Sequence, residues 1–228
     1  MIPILLFLAV VLGPAMLPQP WVRNVIARHS ADRPDIAGTG GQFARHLLDE
    51  MKLHHVKVEE TDLGDHYDPD AKAIRLSPPN MHGRSLAAVV VAAHETGHAM
   101  QDATGYGPLQ ARTRLAKQAI RIEKVGAIVM LAAPIMLVLA RTPQVLLLEI
   151  AAGVVILGMS LAMHAFTLPV EFDASFRRAL PVLKAGRYIP DADMPAARKI
   201  LKAAAFTYVA AAAMSLLDVA RWIRVLRM

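Results

Sequence analysis

With 228 residues the chain can form one domain or two small ones, so its length alone excludes little. Hydrophobic residues make up 55%, above the ~45–50% of ordinary soluble domains, while aromatic residues reach only 5%, a balance that favours contact with lipid. The absence of cysteine excludes disulfides, thiolate metal sites and thiol nucleophiles, and the net charge of +6, with no nucleic-acid-binding motif beside it, suits an anionic lipid surface rather than nucleic acid.

Residues 1–17 form the first apolar run. It lacks a basic start, and Pro14 and Pro18 make a poor cleavage site, so a retained transmembrane helix over residues 1–18 is expected rather than a signal peptide. Residues 20–41, rich in Arg, Asp, Pro and Gly, read as a connector, and residues 42–51 carry apolar side chains at helical spacing. Residues 56–60 and 73–77 are short, partly alternating runs separated by Gly64, Asp65, Asp68, Pro69 and Asp70, which predicts a small antiparallel β unit. Ser77-Pro78-Pro79-Asn80 stops that unit, and Ser85 can cap a helix over residues 86–101.

That helix carries the chemistry. From Leu86 to Ala93 it is apolar on nearly every face, which implies burial, and it then turns polar as His94-Glu95-Thr96-Gly97-His98. Buried imidazoles and an acid are costly without partners. Positions i and i+4 share a helix face, so His94 and His98 can hold one metal ion, while Glu95 on the neighbouring edge can take a proton from a water without being a ligand. Zinc suits imidazole, and a catalytic zinc site has three protein ligands and an open position, so amide hydrolysis with Glu95 as general base is expected. Gly97 costs ~1 kcal/mol relative to Ala inside a helix, which close approach of another element would explain.

Two further apolar runs, residues 125–140 and 145–163, flank Arg141-Thr142-Pro143-Gln144 and predict a transmembrane hairpin over residues 123–164. Glu149, inside the second run, reads as a snorkelling or helix-paired acid. Lys and Arg number 14 between the first run and the hairpin, one in its turn and seven in residues 164–202. Basic residues favour the cytoplasmic side, so the polar segments 19–122 and 165–202 are both expected there. The C-terminal apolar segment, residues 203–228, is Ala-rich and interrupted by Asp218; a further span and a helix packed on the others are both open readings.

A third ligand is needed. A histidine six residues beyond His98 would give the metzincin pattern, but Thr104 stands there, and Gln101 stands where the glycine would be. Glu171 is expected, because the hairpin returns the chain to the membrane face it left. Glu123, within Arg121-Ile122-Glu123-Lys124, competes with it and otherwise reads as an interfacial charge. Ser175, four residues after Glu171, is placed to orient a ligand if the segment is helical, and Asp173 either joins it or pairs with Arg177.

His94-Glu95-Thr96-Gly97-His98-Ala99-Met100-Gln101, with His66-Tyr67-Asp68-Pro69, Ile74-Arg75-Leu76-Ser77 and Leu168-Pro169-Val170-Glu171-Phe172-Asp173-Ala174-Ser175, resembles the YugP-like family of bacterial membrane zinc metallopeptidases over nearly the whole chain. The resemblance implies a zincin-like, gluzincin-type site in the bacterial inner membrane, and the order of elements is also similar to the HtpX-type membrane proteases. In that second group an Asp stands four residues after the ligand Glu, where this chain has Ser175. By the same resemblance residues 73–77 could be an edge strand that aligns extended substrate, and Tyr106, His164 and Arg178 are candidates for stabilising an oxyanion or orienting substrate. Their competing roles are packing for Tyr106, an interfacial position for His164 and headgroup contact for Arg178.

The expected fold class is thus a mainly α, multi-pass membrane protein with a zincin-like minidomain, a small antiparallel β unit and an HExxH helix. The expected function is a membrane-embedded zinc endopeptidase, with one zinc ion per chain, the lipid bilayer around it and its active site facing the cytoplasm. Its substrates would be membrane or membrane-proximal polypeptides. The alternative is a non-catalytic membrane protein with a structural or sensory zinc site, for which an acid beside the ligands has no use.

Overall fold

In the computed structural model, residues 18–140 and 143–205 are described. The spans considered at residues 1–17 and in the last apolar segment, from residue 206 on, lie outside the described residues. The elements run α1 (Pro18–Arg28), α2 (Gly40–Glu50), β1 (Lys57–Glu60), β2 (His66–Asp68), β3 (Ala73–Leu76), α3 (Pro78–His82), α4 (Leu86–Ala103), α5 (Gly107–Ala140) and α6 (Pro143–Phe172). A π-helical segment (Asp173–Ala179), α7 (Leu180–Ala185), a 3-10 turn (Asp191–Asp193) and α8 (residues 194–205, as far as described) complete it.

Helix α4 is the axis of the fold. Ser85 caps it by accepting a hydrogen bond from the Ala88 amide at 3.1 Å. On one side Ala92 and Ala99 pack with Ala44 and Leu48 of α2 and with Tyr67, Ile74 and Leu76 of the sheet. On the other, Leu86, Val89, Val90 and Ala93 pack with Leu180 and Leu183 of α7 and Ile200 and Leu201 of α8. A helix with an apolar residue at nearly every position has no face left for water, and this one is enclosed on both sides. Helix α2 starts where Thr39 and Gln42 form a reciprocal capping box, and Gly40 lets it press on α4: a Cβ there would lie 2.8 Å from the Ala88 carbonyl oxygen.

The β unit differs from the expected antiparallel pair. Its order is β1-β3-β2, with β1 parallel to β3 and β2 antiparallel to β3. The stretch that reads as turn residues contains a strand, and Asp68 makes the tight connection to β3 by accepting hydrogen bonds from the amides of Asp70 and Ala71 at 2.9 and 3.0 Å. Strand β3 is therefore central, with both backbone edges occupied, so it cannot be the edge strand expected at 73–77; the edge on the side of α4's histidines is β2.

The expectation of a multi-pass membrane protein is also corrected: among the described residues no helix is long and apolar enough to cross a membrane. Helices α5 and α6 pair as a long hairpin. Helix α5 carries Arg112, Arg114, Lys117, Arg121 and Lys124, and the uncharged run after them, residues 125–140, is 16 residues long against the ~17–25 that a span needs. Glu149 interrupts the apolar run of α6, and His164 follows it. The apolar content that reads as spans belongs to a paired helical arm on a mainly helical fold with a three-stranded mixed sheet.

Candidate metal centre

Three side chains converge midway along α4. The His94 and His98 Nε2 atoms lie 3.2 and 3.6 Å from the same oxygen, Oε2 of Glu171, and the three ligand atoms are all within 4.8 Å of one another. All three residues are buried. Ligands bound at ~2.0–2.1 Å around a tetrahedral ion sit about 3.3 Å apart, so the donor set and its spacing fit zinc. Glu171 arrives from 73 positions beyond His98, at the last turn of α6, where Pro169 and the following π segment redirect the helix toward α4. Gly97 makes the approach feasible, since a Cβ there would lie 2.7 Å from the Ala174 carbonyl oxygen.

Gly97→Ala should lower the denaturation midpoint, because overpacking costs ~1–3 kcal/mol and the neighbours are backbone atoms that cannot rotate away. The ~1 kcal/mol gained in helix propensity does not offset it. A midpoint at or above the parent's would show that α4 and the π segment have room to spare.

The second nitrogen of each imidazole is also engaged. Gln101, fully buried, donates from Nε2 to the Val170 carbonyl at 2.8 Å and to Asp173 Oδ2 at 2.9 Å, which spends its donors and leaves Oε1 to accept from His98 Nδ1 at 2.9 Å. With the proton on Nδ1, His98 presents the lone pair of Nε2 to the cluster. Ser175 Oγ lies 3.1 Å from His94 Nδ1 in the same relation. Asp173 pairs with Arg178 at 2.7 Å rather than with Arg177, and Arg178 lies 5.6 Å over the Tyr106 ring. Tyr106 and Arg178 are thus the outer links of a chain that runs through Asp173 and Gln101 to His98, and neither lines the cleft before the cluster. His164, two turns before Glu171 and half-buried, does not line it either. Glu123 belongs to α5, and the cluster found among the described residues is His94, His98 and Glu171. Gln101→Leu should weaken zinc binding by ~10–100-fold in a chelator competition; parent-like affinity would mean that His98 keeps its orientation unaided.

Charge is divided sharply between the two acids. Burial acts to raise the Glu171 pKa, but the charges of His98 and His94 and their hydrogen bonds hold it well below the ordinary value of 4.5. Glu95, equally buried, accepts no hydrogen bond among the described residues, and its pKa rises to about 7, chiefly through burial. The nearby charges of Glu171 and Asp65 add to the rise, and those of His94 and Arg112 oppose it.

The cluster opens into a cleft of about 320 Å³ between β2 and α5, lined by His66, Tyr67, Asp70, Arg112 and Lys117 among others. A second cavity of about 210 Å³ also reaches the cluster, lined by Val22, Val90, Val91 and Leu201 together with Asp65, His94, Glu95 and Glu171. Tyr67 keeps its phenolic proton, since burial and Asp102 both raise its pKa, and its hydroxyl donates to Asp102 at 2.5 Å. Gln101, Arg112 and Asp65 are not among the site residues expected from the sequence. Gln101 was within reach of it, three residues after His98 on the same helix face. Asp65 accepts from the Ser77 amide at 2.7 Å and from Asn80 Nδ2 at 2.8 Å, tying the segment before β2 to α3; neither it nor Arg112 carries a local signal.

The profile of a family described as "Putative neutral zinc metallopeptidase" matches residues 3–227. A curated relative, "Putative membrane protease YugP" of Bacillus subtilis (strain 168), is 34% identical over 218 residues, covering 94% of this chain and 92% of the relative. No solved structure matches the chain.

Proposed function

From the premise that this chain belongs to the neutral zinc metallopeptidase family, we propose that it is a membrane-associated zinc endopeptidase whose metal is held by His94, His98 and Glu171, with Glu95 as general base. The observation that carries the reading is the convergence of two imidazole nitrogens and one carboxylate oxygen beside a second, uncommitted carboxylate at the inner end of a cleft. One zinc ion per chain would polarise the scissile carbonyl and lower the pKa of a water toward ~7. Glu95 takes a proton from the attacking water and hands it to the leaving amine nitrogen. Ser175 and Gln101 hold the two imidazoles in orientation through Nδ1. Asp173, fixed by Arg178 over Tyr106, steadies Gln101 in turn.

An extended polypeptide can add to the free edge of β2 and lie in the cleft against α5, which places its backbone before the cluster. Membrane association rests on the relative's name and on the arm: Ile120, Val125 and Ile128 of α5 and Leu147, Val154 and Val155 of α6 are all more than half exposed. The basic residues at the root of α5 suit the anionic headgroups of the cytoplasmic leaflet, so membrane or membrane-proximal polypeptides are the proposed substrates.

The test is chelation. Cleavage of casein or an unfolded membrane protein should disappear on treatment with a zinc chelator and return with added zinc, while the metal-free protein keeps its helical circular-dichroism signal. Cleavage that persists after the metal is gone would overturn the reading. Metal removal that unfolds the protein, with no cleavage at any stage, would favour a structural site.

A further inference from the structure

Glu171 uses its two oxygens differently. Oε2 faces both histidines, whereas Oε1 is 3.2 Å from Nη1 of Arg112, on the wall of the cleft. Arg112 is the one Lys or Arg side chain paired with Glu171 among the described residues, and it comes from an element otherwise outside the cluster. The turn after α4 delivers it. The Tyr106 amide donates to the Gln101 carbonyl at 2.9 Å, Gly105 adopts φ 65°, and Leu109 is buried at the start of α5, so the next helical turn sets Arg112 over the carboxylate.

We infer that Arg112 is a positioning residue that keeps Glu171 a one-oxygen ligand and so leaves a coordination position open for the reaction. This rests on the reading that the cluster holds zinc. A carboxylate with both oxygens free can occupy two positions, and with two imidazoles it would supply four protein atoms, the number that closes a structural zinc site. A guanidinium on Oε1 leaves three. Its charge also opposes the withdrawal of that oxygen toward the metal, because both are cationic and Oε1 stays on the Arg112 side of the carboxylate.

The experiment replaces zinc by cobalt in the full chain and compares the parent with Arg112→Met and Arg112→Lys, folding being checked by thermal melting of the metal-free proteins. In Arg112→Met the visible cobalt absorption should change in position and intensity as Oε1 takes up the open position, and kcat of the zinc-loaded protein should fall ~10–100-fold with KM little changed. Arg112→Lys should regain most of the parent spectrum. A parent-like cobalt spectrum in Arg112→Met would overturn the inference whatever happens to kcat, because Arg112 would then act on the substrate rather than through Glu171. Loss of cobalt binding in both variants would overturn it too, since Arg112 would be needed to assemble the site. A parent that binds no cobalt or zinc would instead sink the zinc reading beneath it.

Discussion

Glu95→Gln should reduce peptide-bond cleavage by at least the ~10²–10⁴-fold that a positioned proton-transfer group contributes, while zinc content stays at the parent level. The two readouts separate because Glu95 stands beside the ligand set and not in it: the cluster consists of His94, His98 and Glu171. Glutamine fills the same space but cannot take up a proton. Equal cleavage by the variant and the parent would remove Glu95 from the mechanism.

The same substitution has a stability signature in the metal-free protein. The folded-state pKa of Glu95 is raised from 4.5 to about 7, so between those values the folded chain binds more protons than the unfolded one and stability falls as pH rises. Ionising the buried carboxylate above pH 7 costs on the order of 3 kcal/mol, and Gln at this position avoids that cost. Metal-free Glu95→Gln should therefore unfold at a higher denaturant concentration than the parent at pH 8, with the gap closing toward pH 4.5. A gap that is constant with pH would mean that Glu95 does not titrate in this window.

Glu171→Ala should abolish useful zinc binding, a loss beyond the ~10–100-fold that an outer partner of a ligand costs, because two of the three donors cannot enclose the ion. It also removes the anion that faces both histidines and leaves Arg112, already partly exposed, to water. Glu123→Ala should bind zinc like the parent, since the cluster forms without it. Chelator-competition titrations of the two variants decide between the acids, and zinc lost from Glu123→Ala but retained by Glu171→Ala would reverse the ligand assignment.

The HExxH helix, its capping by Ser85 and its burial were legible in the sequence because each depends on neighbours within a turn or two of helix, whereas Gly97 signalled a close approach without naming its partner, Ala174. Pairing of α5 with α6 was legible for the same reason: two long helical runs joined by a breaker have little choice but to fold back on each other. Hydrophobicity, however, reports only that a side chain avoids water and not what covers it. Apolar runs therefore read as spans, where the described helices are not long and apolar enough to cross a membrane.

Strand β2 escaped notice because three residues, His66, Tyr67 and Asp68, carry too little alternation to distinguish a strand from the turns around it. By itself the sequence determined which helix presents two imidazoles and an acid on adjoining faces, since ~3.6 residues per turn fixes that geometry. Tertiary structure alone decided that Arg112 meets one oxygen of Glu171 while the histidines meet the other. That arrangement depends on the angle at which α5 leaves the turn after α4 and on the π segment that draws Glu171 inward, and neither is set by any local period in the chain.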